Sequence, residues 1–149
     1  MTRAELLGFM RASRFAVEAS VSGEGAPQAA VIGIAVTDQF ELVFDTLDST
    51  RKAQNLRRNP RIALAIGGAG DGQERTVQLE GVADEPTGDD RQRLQQIYFA
   101  QFPDGPTRLG WAGLIYVRVR PTWLRHSDFR RDPPEIVELD AAGLAGLRY

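Results

Sequence analysis

Apolar residues change their spacing several times along the chain, and each change marks an element. Leu6, Phe9 and Met10 recur on one helical face and predict a helix from Thr2 to about Ser13. Thr2 with Glu5 three positions on is a capping box, in which hydroxyl and carboxylate each satisfy a free amide of the first turn. From Arg14 to Val21 the pattern alternates as in a strand. A turn at Ser22–Pro27 leads into Gln28–Val36, apolar enough to read as a strand buried on both faces. Thr37–Gln39 turns the chain into a further strand, Phe40–Asp45, which completes an antiparallel meander.

A polar turn, Thr46–Thr50, then opens a helix with Ser49 or Thr50 as its N-cap. Asn59-Pro60 ends it, because the residue before proline is pushed out of the α region. Two strands follow, Arg61–Ile66 and Arg75–Asp84, with the glycine run Gly67–Gly72 as a flexible hairpin between them. That run lacks the spacing and the following helix of a dinucleotide fingerprint. Gly81 inside the second strand predicts a bulge or a close backbone approach. Thr87–Phe102 is the longest helix, capped by Thr87 or Asp89, and its stripe of Leu94, Ile97, Tyr98 and Phe102 reads as core. After the loop Pro103–Gly110, Ala112–Arg120 is the last clear strand, followed by Pro121–Phe129. Residues 1–132 read as one domain and 133–149 as a C-terminal tail with a short strand at Glu135–Leu139. Short antiparallel strands with three helices, one crossing between strands, predict an α+β fold around a small barrel.

A chain of 149 residues can bury a real core in a single domain. The net charge of −2 gives no reason to expect a nucleic-acid partner. The absence of cysteine excludes disulfides and thiolate chemistry. The first residues scatter charges among the apolar positions, unlike a signal peptide, and no apolar run approaches the roughly 20 residues that span a bilayer. A cytoplasmic location without membrane contact is expected. His126 is the only histidine and reads as a surface or core residue before a proton donor or haem ligand. No cluster of metal-ligating residues has usable spacing.

The candidate chemistry lies at the start of the second helix. Arg51 and Lys52 follow the cap at once, although cations at a helix N-terminus oppose the macrodipole. Lys52 is also the only lysine in the chain. With an anion present, free amides, cap hydroxyls, guanidinium and ammonium converge on one charge, which is a phosphate seat. Without one, the pair is a solvated first turn with Asp45 and Asp48 as ion-pair partners.

The order of strand, Thr-x-x-x-[Ser/Thr]-Arg-Lys, helix ending in Asn-Pro, then Arg61–Ile66 resembles the pyridoxamine 5'-phosphate oxidase-like FMN-binding split-barrel family, over residues 5–125. The resemblance implies a small Greek-key split β-barrel with flanking helices. It implies a homodimer holding FMN at the subunit interface, with the flavin doing redox chemistry on a small substrate. Arg51 and Lys52 would hold the FMN phosphate, with the hydroxyls of Thr46, Ser49 and Thr50. The backbone of Ala30, Val31, Ile32 and Gly33 would pass the cofactor, and Thr76 falls where many members place a glutamine facing the ring. Trp123 and Arg125, placed just after the last strand, would reach the flavin held mainly by the other subunit. For them the alternatives are a packed tryptophan and an arginine paired with Asp128.

Departures from the family pattern concern the substrate. Ala30 and Ala35 stand where the oxidase carries an arginine for the FMN phosphate and a lysine for the substrate phosphate. The C-terminal Arg-x-His pair is also absent, so pyridoxamine phosphate is not the expected substrate. Two rivals share the fold. One is an F420-dependent reductase with Arg57, Arg58 and Arg61 on the acidic tail, and the other a non-catalytic flavin or haem binder.

Overall fold

Antiparallel pairing of short strands governs the fold, described here from a computed structural model covering residues 1–68, 70 and 74–149. The elements run α1 (Arg3–Ala12), β1 (Phe15–Val21), β2 (Pro27–Gly33), β3 (Ala35–Val36), β4 (Leu42–Leu47), α2 (Arg51–Arg58) and β5 (Arg61–Gly67). Then follow β6 (Arg75–Asp84), α3 (Gly88–Gln101), a 3-10 turn (Gly105–Arg108), β7 (Leu114–Asp128), β8 (Glu135–Asp140) and α4 (Ala141–Gly146). Seven strands lie in the order β2-β1-β5-β6-β7-β4-β3, and β8 pairs with β7. The two ends of that path, β2 and β3, are separated in sequence by Ile34 alone. A sheet whose edges are tied by one residue must curl onto itself, and the result is the expected split barrel with flanking helices.

The barrel interior is filled by alternate residues such as Phe44, Leu64, Ile66, Leu79 and Leu124. Leu6 and Met10 of α1 close one part of it, fully buried, and the Thr2–Glu5 capping box fixes the start of that helix. A second cluster joins Leu94 and Tyr98 of α3 and its C-cap Phe102 to Tyr116 and Val43 on the sheet, so the aromatic stripe is core. Each such side chain contributes about 1.5–3 kcal/mol by burial.

Several expected boundaries move. Gln28–Val36 is not one strand buried on both faces: it breaks at Ile34, and Val31 is 69% exposed. The break sits beside Gly33, where a Cβ would come within 2.7 Å of the Phe102 ring. The strand expected at Phe40–Asp45 begins at Leu42, and Phe40 occupies the preceding turn with φ 63°. β7 does not end at Arg120 but runs on to Asp128. Gly81 pairs with Pro121 and Glu80 with Trp123, so Thr122 is an extra residue in β7. Such a bulge accommodates a proline that lacks the ladder donor. At Gly81 a Cβ would lie 2.6 Å from the Arg120 carbonyl oxygen, so the bulge and the close approach require the same glycine. Part of the Gly67–Gly72 run lies outside the described residues. The stretch 133–149 carries β8 and α4, with Leu144 in the core and the Arg3 guanidinium bonded to the Leu144, Ala145 and Leu147 carbonyls.

Among the described residues, nothing covers the outer face of β1, β2 and β5 around Val17 and Val31. Val17 stands opposite Val31 on one side and Ala65 on the other, with Phe15 two residues away. Phe15 and Val17 are 58% and 43% exposed, which makes a continuous apolar patch. Among the described residues no helix is long and apolar enough to cross a membrane.

Candidate functional site

Local chemistry builds the turn from β4 into α2. Thr50, and not Ser49, is the N-cap: its Oγ1 accepts from the Ala53 amide (3.3 Å) and donates to the Leu47 carbonyl (2.8 Å). With that proton committed, the 3.2 Å contact between the two threonine hydroxyls has Thr46 as donor. Ser49 is exposed. The helix stops at Asn59, as Pro60 demands.

Arg51 and Lys52 therefore open a fixed helix, and their expected acidic partners are elsewhere. Asp45 accepts from Arg108 Nε (2.8 Å) and from the Tyr98 hydroxyl (2.9 Å). Among the described residues, neither Asp48 nor any other carboxylate forms an ion pair with Arg51 or Lys52. Between this helix start and the inward-facing side of β1–β2 lies a cavity of about 100 Å³. Thr50, Arg51 and Lys52 line one side of it, and Glu18, Gln28 and Ala30 the other. Two free cations, a capped helix start and space between them can hold a phosphate-sized anion.

The polar floor of the cavity is satisfied except at one residue. Asn55 Nδ2 donates to Ser20 Oγ (3.1 Å) and Gln28 Oε1 (2.9 Å), and Arg58 donates to Asn55 Oδ1 (3.0 Å). Glu18, 1% exposed, has no partner for Oε2. Burial pushes its carboxyl up to about 7, against the opposing charge of Lys52. The folded chain thus keeps this proton up to about pH 7, whereas an unfolded carboxyl releases it near 4.5. Glu18 weighs against folding as pH rises through that window, and in full above it. Glu18→Gln is expected to leave stability at pH 5 unchanged and to raise it by about 1–2 kcal/mol at pH 8, read by urea denaturation. Equal stability gains at both pH values would show that the carboxyl titrates normally.

The remaining sequence candidates lie apart from this cavity. Val31 points outward, Ile32 is in the core, and Gly33 makes room for Phe102. Thr76 pairs with Gly67 and Ser127 at the start of β6. Trp123 and Arg125 are not beyond the last strand but inside β7, opposite Glu80 and Gln78. Arg125 lies 3.6 Å from Glu138, while Asp128 is bound by Arg130 and not by Arg125. A second hollow, about 420 Å³, is lined by Ala19, Ala63, Glu80, Val82 and Thr122, and Ser20 borders both spaces. His126 is buried edge-on to Phe9, with Nδ1 unpartnered and its pKa lowered by burial. Glu18 escaped the sequence reading, and the phase of β1 hid it.

The family model described as pyridoxamine 5'-phosphate oxidase matches residues 2–126. The chain belongs to the pyridoxamine 5'-phosphate oxidase family. No curated protein matches it. Among solved structures it is similar to a haem-binding protein from Mycobacterium smegmatis, with TM-score 0.83 and 19% identity over 99% of this chain. It spans only 62% of that protein's length. A haem-storage protein from Vibrio cholerae matches with TM-score 0.69 and 14% identity, over 78% of this chain and 87% of that one. A pyridoxamine 5'-phosphate oxidase-related FMN-binding protein from Nostoc punctiforme matches with TM-score 0.66 and 16% identity, over 92% and 93%. These similarities carry the split-barrel fold of the pyridoxamine 5'-phosphate oxidase family and nothing finer.

Proposed function

We propose that this member of the family is an FMN-binding oxidoreductase that acts on a small molecule other than pyridoxamine phosphate. The observation that carries the reading is the pair Arg51 and Lys52, without ion-pair partners among the described residues, at the Thr50-capped start of α2 and beside a cavity. Those residues fit a phosphate monoester by charge and by donor count. FMN bound there would supply hydride chemistry, and the protein would supply orientation and exclusion of water. Thr46 would hold the Thr50 hydroxyl in place, and Lys52 and Arg51 would hold the phosphate. Ala35, 4% exposed, offers no cation for a second phosphate, which argues against a phosphorylated substrate. The apolar patch of Phe15, Val17 and Val31 supports a homodimer covering this face, which would bring the partner close to Trp123 and Arg125 on the same side of the sheet.

The F420 reading is weaker because Arg57 is held by Glu85 (2.8 and 2.9 Å) and Arg58 by Asn55. Binding of haem rests on the M. smegmatis and V. cholerae neighbours. His126, the one imidazole, is buried beneath Phe9 and borders neither space described above.

The visible spectrum of the purified protein, with mass identification of what denaturation releases, tests the reading. Flavin bands and released FMN are expected. A Soret band would transfer the case to haem, and a colourless protein that ignores added FMN would end the flavin reading.

A further inference from the structure

We propose that Glu18 is itself a ligand of the phosphate in this seat, binding as a neutral carboxylic acid that donates its proton to a phosphate oxygen. The inference rests on the reading of the α2 cavity as an FMN phosphate site. The Glu18 side chain, 1% exposed and bordering the same space as Thr50, Arg51 and Lys52, has an oxygen that no group among the described residues satisfies. The neighbouring polar groups are no help, since Asn55 is committed to Ser20 and Gln28. A buried carboxyl without a partner is costly, and an external group entering the cavity would remove that cost.

Charge decides the protonation state. An ionised Glu18 would cancel one of the two cations and repel the incoming phosphate. A protonated one becomes a donor, and an O–H bond to an anionic oxygen is among the stronger hydrogen bonds. The groups facing Glu18 come from three elements. α2 supplies Lys52 and Arg51, β2 supplies Gln28 and Ala30, and β5 places Leu64 directly opposite in the ladder. Among the residues lining the seat, Glu18 is the one carboxyl. Burial already holds its carboxyl near neutrality, with Lys52 opposing. Across the β1–β2 pair from it, Ala30 brings no charge, so the seat's third polar contact falls to Glu18.

Phosphate binding then becomes linked to a proton. A phosphate monoester completes its second ionisation near pH 6, so the free ligand does not change between pH 7 and 9. FMN titrations of the full chain over that range test the proposal, with Glu18→Gln as the variant and riboflavin, which lacks the phosphate, as the control probe. Wild-type affinity for FMN is expected to fall by up to about tenfold per pH unit, with uptake of about one proton per FMN at pH 8 in buffers of different ionisation enthalpy. Glu18→Gln keeps a donor of the same shape and is expected to change less than about threefold over the range, and riboflavin binding to show no such slope. FMN binding that depends on Arg51 and Lys52 but has equal slopes in wild type and Glu18→Gln overturns the proposal and leaves the flavin reading standing. Failure of wild type to bind FMN at pH 6 overturns both.

Discussion

Replacing Arg51 and Lys52 together by alanine is expected to lower FMN affinity by about a hundredfold or more and to leave the fold intact. Each charge-assisted hydrogen bond to phosphate contributes about 1.5–3 kcal/mol, so losing two removes roughly 3–6 kcal/mol of binding, a factor of about 10²–10⁴. Stability is spared for separate reasons. Arg51 is exposed, Lys52 only half-buried, and among the described residues neither has an ion-pair partner to leave behind. Their positive charge also opposes the helix dipole, so its removal is worth a few tenths of a kcal/mol in favour of the folded chain. Arg57→Ala is the control, since Arg57 lies on the same helix, pairs with Glu85 just after β6 and touches no part of the cavity. Fluorescence titration of FMN together with thermal denaturation reads both effects. Wild-type affinity in the double variant would reduce the seat to an ordinary helix start.

The legibility of this site in the sequence follows from how local its causes are. Thr50, Arg51, Lys52 and the Asn59-Pro60 stop act within one helix, and the structure keeps each where the sequence puts it, with Thr50 chosen over Ser49 as the cap. Pro121 misleads for the opposite reason. Read locally it ends a strand, but its missing donor is tolerated because Gly81, forty residues earlier, faces it across a bulge. Glu18 was hidden by the phase of β1. The larger apolar residues Phe15, Val17 and Val21 look like the inward set, yet the barrel buries Ala16, Glu18 and Ser20 and turns the valines out. That inversion makes sense if the outer face is later covered by another subunit, because the sheet then needs apolar residues on both sides. One strand thus yields both the outward patch and the buried acid beneath α2, and neither can be read without the register.

The largest expected loss of stability comes from Arg118→Met, away from the cavity. Arg118 on β7 has a side chain only 7% exposed. It meets Asp84 at the end of β6 in a two-pronged contact (2.9 and 2.6 Å), bonds Asp90 in the first turn of α3, and lies 3.5 Å from Glu41 before β4. The guanidinium therefore ties α3 and two strands to the centre of the sheet. Methionine preserves most of the volume but removes the buried cation from among three carboxylates, leaving them the more exposed Arg93 and Arg120. Breaking a buried pair on one side costs about 3–5 kcal/mol; because Asp84 and Asp90 are partly solvated, about 2–4 kcal/mol is expected here, a fall of roughly 5–15 °C in Tm. The bonds from Arg118 hold the Asp84 carboxyl below its ordinary range, and those from Arg93 and then Arg118 do the same for Asp90. A depressed carboxyl stabilises the fold above its unfolded pKa of about 4 and loses that contribution as pH falls through its folded value. The gap between wild type and Arg118→Met should accordingly be full at pH 7 and shrink as pH falls below about 4, measured by urea denaturation. Adding Asp84→Asn and Asp90→Asn to the variant should restore part of the loss at pH 7, since the damage lies in the stranded charges. If the gap were the same at pH 7 and pH 3, the role of Arg118 would be packing by its stem and not the neutralisation of its acidic neighbours.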